Sequence, residues 1–280
     1  MSFLAMIIAL LIAQLRDRDS KVFHDRWLVD VDARLRGVGV PPGARLLCSI
    51  ALPAIGVCVV LSYLEPRLFG LLWIAFTVVI LLYCFGRVNF PAMLERYRAY
   101  FSSGNFQSAW LDARSESVTE MDPAEEASPE DVQIYVQQLL IYEGYQGWFA
   151  ILFFFLILGP GGALAYRLLQ LYSQFPESKF VQRLLFYADW LPVRLVATTF
   201  SLTGDFLASR DKLLASFSET SQPGNEVLVS TARAALGLER GGAESETGDA
   251  ATAQVDQIEA LLSRCAVFWL ALISLLVVLL

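Results

Sequence analysis

Glu143, Arg167, Asp189, Arg194, Ser201 and Asp205 are the residues of this chain whose types and spacing could do chemistry. Arg194, Thr198, Ser201 and Asp205 recur at i, i+4, i+7 and i+11, which lays a polar stripe along one helical face. With Arg194 as a forked donor, such a stripe can line a pocket for an anionic ligand. It is equally the pattern of a solvated face on a surface helix, because the other face offers Leu195, Thr199, Leu202 and Phe206. Pro192 lacks an amide proton and disfavours helical angles at Leu191, so the sequence predicts that this helix starts here, with Asp189 beside its positive end.

Two further charges stand at the edges of apolar runs. The stripe Val132, Tyr135, Val136, Leu139 and Leu140, continued at helical spacing, reaches Glu143 just as the chain turns oily. A carboxylate there is costly in lipid unless it is paired or faces a wet cavity; otherwise it sits at headgroup level and bends toward water. Arg167 directly follows an apolar run and either snorkels to the interface or joins the same pocket.

Other chemistries are closed off. His24 is the single histidine, so a Ser-His-Asp triad could use only that residue and a multi-histidine metal site is excluded. No G-x-x-x-x-G-K-[ST] occurs, which removes a P-loop. A net charge of -7 argues against nucleic acid, whose phosphates need clustered Lys and Arg. Cys48, Cys58, Cys84 and Cys265 lie in or beside apolar runs without C-x-x-C spacing and read as packing residues.

The elements that must position these groups are membrane helices. Residues 1–15, 46–64, 68–86, 144–166 and 265–280 carry no charge. A hydrocarbon core of roughly 30 Å needs about 20 apolar residues, a length the middle three stretches reach, the fourth running on to about residue 171. The first and last are short for independent spans. The fold class expected is therefore all-α: a polytopic integral membrane helical protein in one membrane domain, with cytoplasmic helical loops over 16–45, 87–143 and 209–264 and an amphipathic or re-entrant region over 179–208. Of 21 Lys and Arg, seven fall in residues 16–45, one at Arg67, four in 87–114 and nine after Tyr166. The positive-inside rule then puts the N-terminus in the periplasm. Gly159-Pro160-Gly161-Gly162 frees backbone groups that lipid cannot satisfy, so a break or re-entrant tip is expected there. Either the run 144–166 enters and returns at this point, or a second segment within 179–208 carries the chain back.

Outside the membrane, Trp27, Leu28, Val31 and Leu35 share a helical face that stops at Gly37, and Ser128-Pro129-Glu130-Asp131 reads as a capped helix start. Residues 115–126 and 241–254 read as exposed loops, the second as disordered.

Gly159-Pro160-Gly161-Gly162-Ala163-Leu164-Ala165-Tyr166-Arg167 followed by Asp189-Trp190-Leu191-Pro192-Val193-Arg194-Leu195 resembles the paired signature of the CobD/CbiB membrane family. Within it the chain is most similar to the AmpE proteins; Leu94-Glu95-Arg96-Tyr97 and Gly104-Asn105-Phe106-Gln107-Ser108-Ala109 add to the likeness. The resemblance implies one of two functions. AmpE proteins are regarded as inner-membrane regulators of β-lactamase induction, which implies a non-enzymatic regulator or sensor in the lipid bilayer, binding an anionic small molecule such as a nucleotide, or a membrane protein partner. CobD/CbiB enzymes use ATP and Mg²⁺ to join an aminopropanol phosphate to a corrinoid carboxylate; an alternative is thus a ligase of this type on another amphiphilic carboxylate, with Asp189 and Glu143 on Mg²⁺ and Arg194 on phosphate. The enzymes' Gly-Arg-Asp-Thr segment has no counterpart near Leu111-Asp112-Ala113-Arg114, and their Glu-Asn pair is replaced by Tyr142-Glu143-Gly144, which turns the expectation toward the regulator.

Overall fold

A computed structural model of the chain describes residues 2–15, 26–65, 70–85, 90–116, 128–175, 179–238 and 248–279. Its helices are α1 (Ser2–Leu15), α2 (Arg26–Gly37), α3 (Pro42–Leu46), α4 (Leu52–Leu64), α5 (Leu71–Phe85), α6 (Phe90–Ser102), α7 (Phe106–Glu116), α8 (Pro129–Gly144), α9 (Ala150–Ser173), α10 (Lys179–Thr203), α11 (Phe206–Ser218), α12 (Gly224–Ala235) and α13 (Gly248–Leu279). Wider π-helical turns, Leu47–Ala51 and Tyr145–Phe149, lead into α4 and α9. No strand occurs among the described residues. The stretches Gly43–Leu64, Leu71–Ser102, Pro129–Ser173 and Gly248–Leu279 are long and apolar enough to cross a membrane, and Ser2–Ala13 is a shorter apolar helix. The chain is thus the all-α polytopic membrane protein its apolar runs predict. His24 and most of residues 115–126 lie outside the described residues.

Contacts divide the chain into two units, Met1–Val88 with Ala150–Tyr187 and Asn89–Phe149 with Ala188–Leu280. In the first, α1 packs on α5, and α4 and α5 pack on α9. Ala5, Met6 and Ala9 meet a core that includes Val78, Leu81 and Cys84, all buried. The Gly-Pro-Gly-Gly run does what its composition predicts. Gly159 sits at φ 70° and ψ -164°, a backbone state open to glycine. Beyond it the Phe154 ring stacks on Tyr166 with centroids 4.6 Å apart. In a straight helix those residues would be about 18 Å apart, so α9 doubles back at Gly159 into two limbs, 150–158 and 160–173. Gly161 lets the second limb touch α4: a Cβ there would collide with Cys58 Sγ and lie 3.2 Å from the Ala54 carbonyl oxygen.

In the second unit α8 and α13 run side by side in the same direction. Gln137 Nε2 donates to Gln254 Oε1 at 2.6 Å, Leu262 packs onto Gly144, and the Phe149 and Trp269 rings meet edge-on at 5.7 Å. The start of α8 is fixed as expected: Ser128 and Asp131 form a reciprocal capping box, with Pro129 in the first turn. Val132, Val136, Leu139 and Leu140 are buried, and Tyr135 packs edge-on against Trp110. Antiparallel to α13 runs α6, joined by Arg98 to Asp256 at 2.7 Å and to Glu259.

The last apolar stretch differs from expectation. It is the distal half of a 32-residue helix that starts at Gly248, so residues 248–254 are helical rather than loop. Ala251, Val255, Ile258, Leu261 and Leu262 are buried, a helical stripe whose packing on α6 and α8 orders a segment that composition alone marks as weak.

Candidate functional site

The site is built around α10, a continuous 25-residue helix with Pro192 inside it. The expectation that a helix starts at Pro192 is corrected. An interior proline costs about 3 kcal/mol, whereas burying Val193, Val196 and Phe200 contributes roughly 1.5–3 kcal/mol each. Packing decides the outcome. Asp189 is consequently mid-helix, away from any helix N-terminus.

Its partner is instead a side chain. Asp189, 4% exposed, accepts a hydrogen bond of 2.7 Å from the Tyr145 hydroxyl in the π-helical turn after α8. One residue before Gly144, Glu143 is half-buried beside Tyr142, whose hydroxyl accepts from Gln146 Nε2 at 2.7 Å. Asp189 and Glu143 both act electrostatically on that Tyr142 hydroxyl.

The polar stripe faces inward. Arg194 is 1% and Ser201 0% exposed, while Leu195 and Leu202 on the supposed apolar face are 41% and 55% exposed. The solvated-face reading therefore fails for Arg194 and Ser201. Arg194 Nε and Nη2 donate to the Ser216 carbonyl at 2.8 and 2.6 Å, Nη1 to the Trp190 carbonyl at 3.0 Å and Nη2 to that of Glu219 at 3.3 Å. Carbonyls at the end of α11 have no intrahelical donor, and the guanidinium supplies one, as cations do at helix C-termini. Its carbon lies 4.3 Å from the Trp190 ring centroid, and burial pushes its pKa below the usual guanidinium value. Thr198 and Ser201 return their hydroxyls to the helix backbone, at Arg194 and Ala197. The stripe ends there: α10 stops at Thr203, and Asp205 is the exposed N-cap of α11, accepting from the Ala208 amide at 3.1 Å.

Arg167 belongs to the first unit, the other five residues to the second. It does not snorkel. At 4% exposure it lies in the second limb of α9, beside Cys84, with Nη1 donating to Gln170 Oε1 at 3.4 Å.

Several polar joints escaped the sequence reading. Thr199 Oγ1 accepts from Trp269 Nε1 at 3.1 Å, and Thr203 Oγ1 meets Cys265 Sγ at 3.2 Å, tying α10 to α13. Gln137 Oε1 accepts from Arg233 at 2.5 Å. In the first unit the Asp32 carboxylate, 4% exposed, accepts from Tyr172 at 2.5 Å and Arg36 at 3.1 Å and lies 3.6 Å from Arg45. The signal was present: Asp32 follows Leu28 by four positions on the face that also carries Val31 and Leu35. Among the described residues no group of three His, Cys, Asp or Glu is placed to hold a metal ion.

The fold and these buried joints are those of a polytopic helical membrane protein whose ionisable groups hold helices to one another. The chain belongs to the AmpE family, the regulatory signalling modulator proteins, whose family model matches residues 1–278. Comparisons with curated proteins and with solved structures find no match.

Proposed function

We propose that this chain is a non-enzymatic regulator in the bacterial inner membrane, acting in β-lactamase induction through contact with a membrane protein partner. The observation that carries this reading is the engagement of Asp189, Arg194, Thr199 and Thr203 in intrachain bonds that link α10 to α8, α11 and α13. Groups held this way transmit the position of one helix to the next. An anionic ligand such as a nucleotide would have to displace Arg194 from its carbonyls, which makes that form of sensing the less supported one. A groove of about 380 Å³ between α4 and α9, lined by Ala54, Cys58, Ser62, Gly161, Gly162 and Ala165, supports a partner helix, since small residues allow close backbone approach in lipid. The polar ends of α6, α8 and α13 are assigned to the cytoplasm and the N-terminus to the periplasm.

The test is β-lactamase induction in a deletion strain carrying the wild-type chain or Ala165→Leu, with membrane levels matched. Induction altered by deletion, restored by the wild type and not by Ala165→Leu is the expected pattern. Unaltered induction in the deletion strain overturns the regulatory assignment; full restoration by Ala165→Leu overturns the partner groove.

A further inference from the structure

Within the second unit, which holds α10 from Ala188 on, that helix crosses the paired helices α8 and α13 instead of running beside them. From Asp189 to Thr203 the helix advances fourteen residues, about 21 Å. Yet Asp189 is bonded to Tyr145, Thr199 to Trp269 and Thr203 to Cys265. Leu262 packs on Gly144 and Trp269 on Phe149, so those three partners occupy one level of the pair, only about 6–9 Å deep along its axes. A helix parallel or antiparallel to α13 would spread its contacts over more than twice that depth. At this level α8 and α13 pass into their apolar runs, and α13 exposes Val267, Phe268 and Leu272.

The outer face of α10 matches that boundary. Phe180, Leu184, Tyr187, Leu191, Leu195 and Leu202 fall on one helical stripe and are 67, 40, 72, 45, 41 and 55% exposed. Every charged residue from Leu184 to Thr203 is turned inward: both Asp189 and Arg194 are buried. Lys179 and Arg183 are exposed at the N-terminal end of the stripe, and beyond Thr203 the exposed charges are mixed, Asp205, Arg210, Asp211 and Lys212. An exposed apolar stripe whose charges are confined to its ends fits a helix lying in the membrane interface, with its oily side in the acyl boundary and its N-terminal cations at anionic headgroups.

We propose that α10 is an in-plane interfacial helix whose exposed stripe from Phe180 to Leu202 is embedded in the lipid of one leaflet, on the side where α8 and α13 enter the membrane. The partner of this surface is the bilayer itself. Helix and bilayer are then coupled, because the same helix carries Asp189 on its inner face, bonded to the segment that leads α8 into the membrane. The proposal does not depend on β-lactamase induction or on the groove between α4 and α9.

The test uses the full-length chain in nanodiscs of phosphatidylethanolamine and phosphatidylglycerol, with one spin-labelled noncanonical amino acid at position 184, 187, 191, 195 or 202. Relaxation by oxygen and by a water-soluble nickel chelate reports depth. The expected result is oxygen-dominated relaxation at all five positions, at one shallow depth within about one helical turn, ~5 Å. A depth that passes through the bilayer midplane along the series means that α10 crosses the membrane and overturns the proposal. So does nickel-dominated relaxation, which means water, or exclusion of both relaxants, which means a protein partner or a second copy. As a check on the unsubstituted protein, a photoactivatable phospholipid should label the peptide 179–203; absence of label there also overturns the proposal.

Discussion

The Tyr145 hydroxyl donates to Asp189 Oδ1 at 2.7 Å, so the π-helical turn that leads α8 into its apolar run is pinned to the inner face of α10. Both residues are buried, Tyr145 at 0% and Asp189 at 4% exposure, and a hydrogen bond to a charged group in such a place contributes about 1.5–3 kcal/mol. Tyr145→Phe leaves a buried carboxylate one donor short, whereas Asp189→Asn keeps an acceptor for the hydroxyl. Thermal unfolding in detergent should therefore show the larger loss for Tyr145→Phe. The double variant should lose less than the sum of the singles, because the two residues share one interaction. Additive losses would mean that they act separately.

Arg194 is a positioning residue for the end of α11, and lysine cannot replace it. Its fork serves the Ser216, Glu219 and Trp190 carbonyls at once, a geometry a single ammonium cannot copy. The burial that lowers the pKa of the guanidinium would push an ammonium, which starts lower, further toward neutrality. Arg194→Lys should cost about 1–3 kcal/mol and speed amide exchange selectively over 214–219, with exchange in α8 unchanged. Uniformly faster exchange would place the role of Arg194 elsewhere.

What the sequence showed and what it hid follow one physical line. Apolar runs, the cap at Ser128 and the break at Gly159 are local, and each reads directly from residue types. The start assigned at Pro192 was wrong because a local penalty was outweighed by the burial of Val193, Val196 and Phe200, which depends on distant segments. Glu143 and Asp189 were legible as charges in an oily setting. Tyr145, which holds Asp189, was not, since nothing in a tyrosine at the start of an apolar run tells which residue 44 positions away it will meet. Asp205 shows the limit of periodicity: the spacing of the stripe continued to it, but the helix did not.

Gly159 holds the turn of α9 at φ 70°. An alanine there enters a positive-φ, extended-ψ state open essentially to glycine alone, at a cost of roughly 1–3 kcal/mol, and a β-branched valine more. The order of stability should be wild type, Gly159→Ala, Gly159→Val. The stacking of Phe154 on Tyr166 gives a second readout, because it exists only while the limbs stay folded back. A photocrosslinker at position 154 should reach the second limb in wild type and lose that product in Gly159→Val. Equal stability of all three proteins would show that the turn does not need glycine.

Asp32 offers the sharpest contrast between a buried and an exposed ion pair, because one carboxylate makes both. Its contact with Arg45 at 3.6 Å joins side chains that are 8% and 6% exposed, while Arg36, at 3.1 Å, is 50% exposed. Removing one member of a buried pair strands the other and costs about 3–5 kcal/mol, whereas exposed pairs contribute about 0–1 kcal/mol. Asp32→Ala and Arg45→Ala should each destabilise strongly, and Arg36→Ala should change thermal stability little. Tyr172→Phe falls between, since the 2.5 Å hydrogen bond is lost but the ion pair stays. The decisive variant is Asp32→Leu with Arg45→Leu: two apolar side chains in a buried site remove the stranded charge and should recover most of the stability lost by either alanine. If the double variant is as unstable as Asp32→Ala, the carboxylate matters for its bonds to Tyr172 and Arg36 rather than as a counter-charge, and α2 is held to the second limb of α9 by a hydrogen-bonded hub.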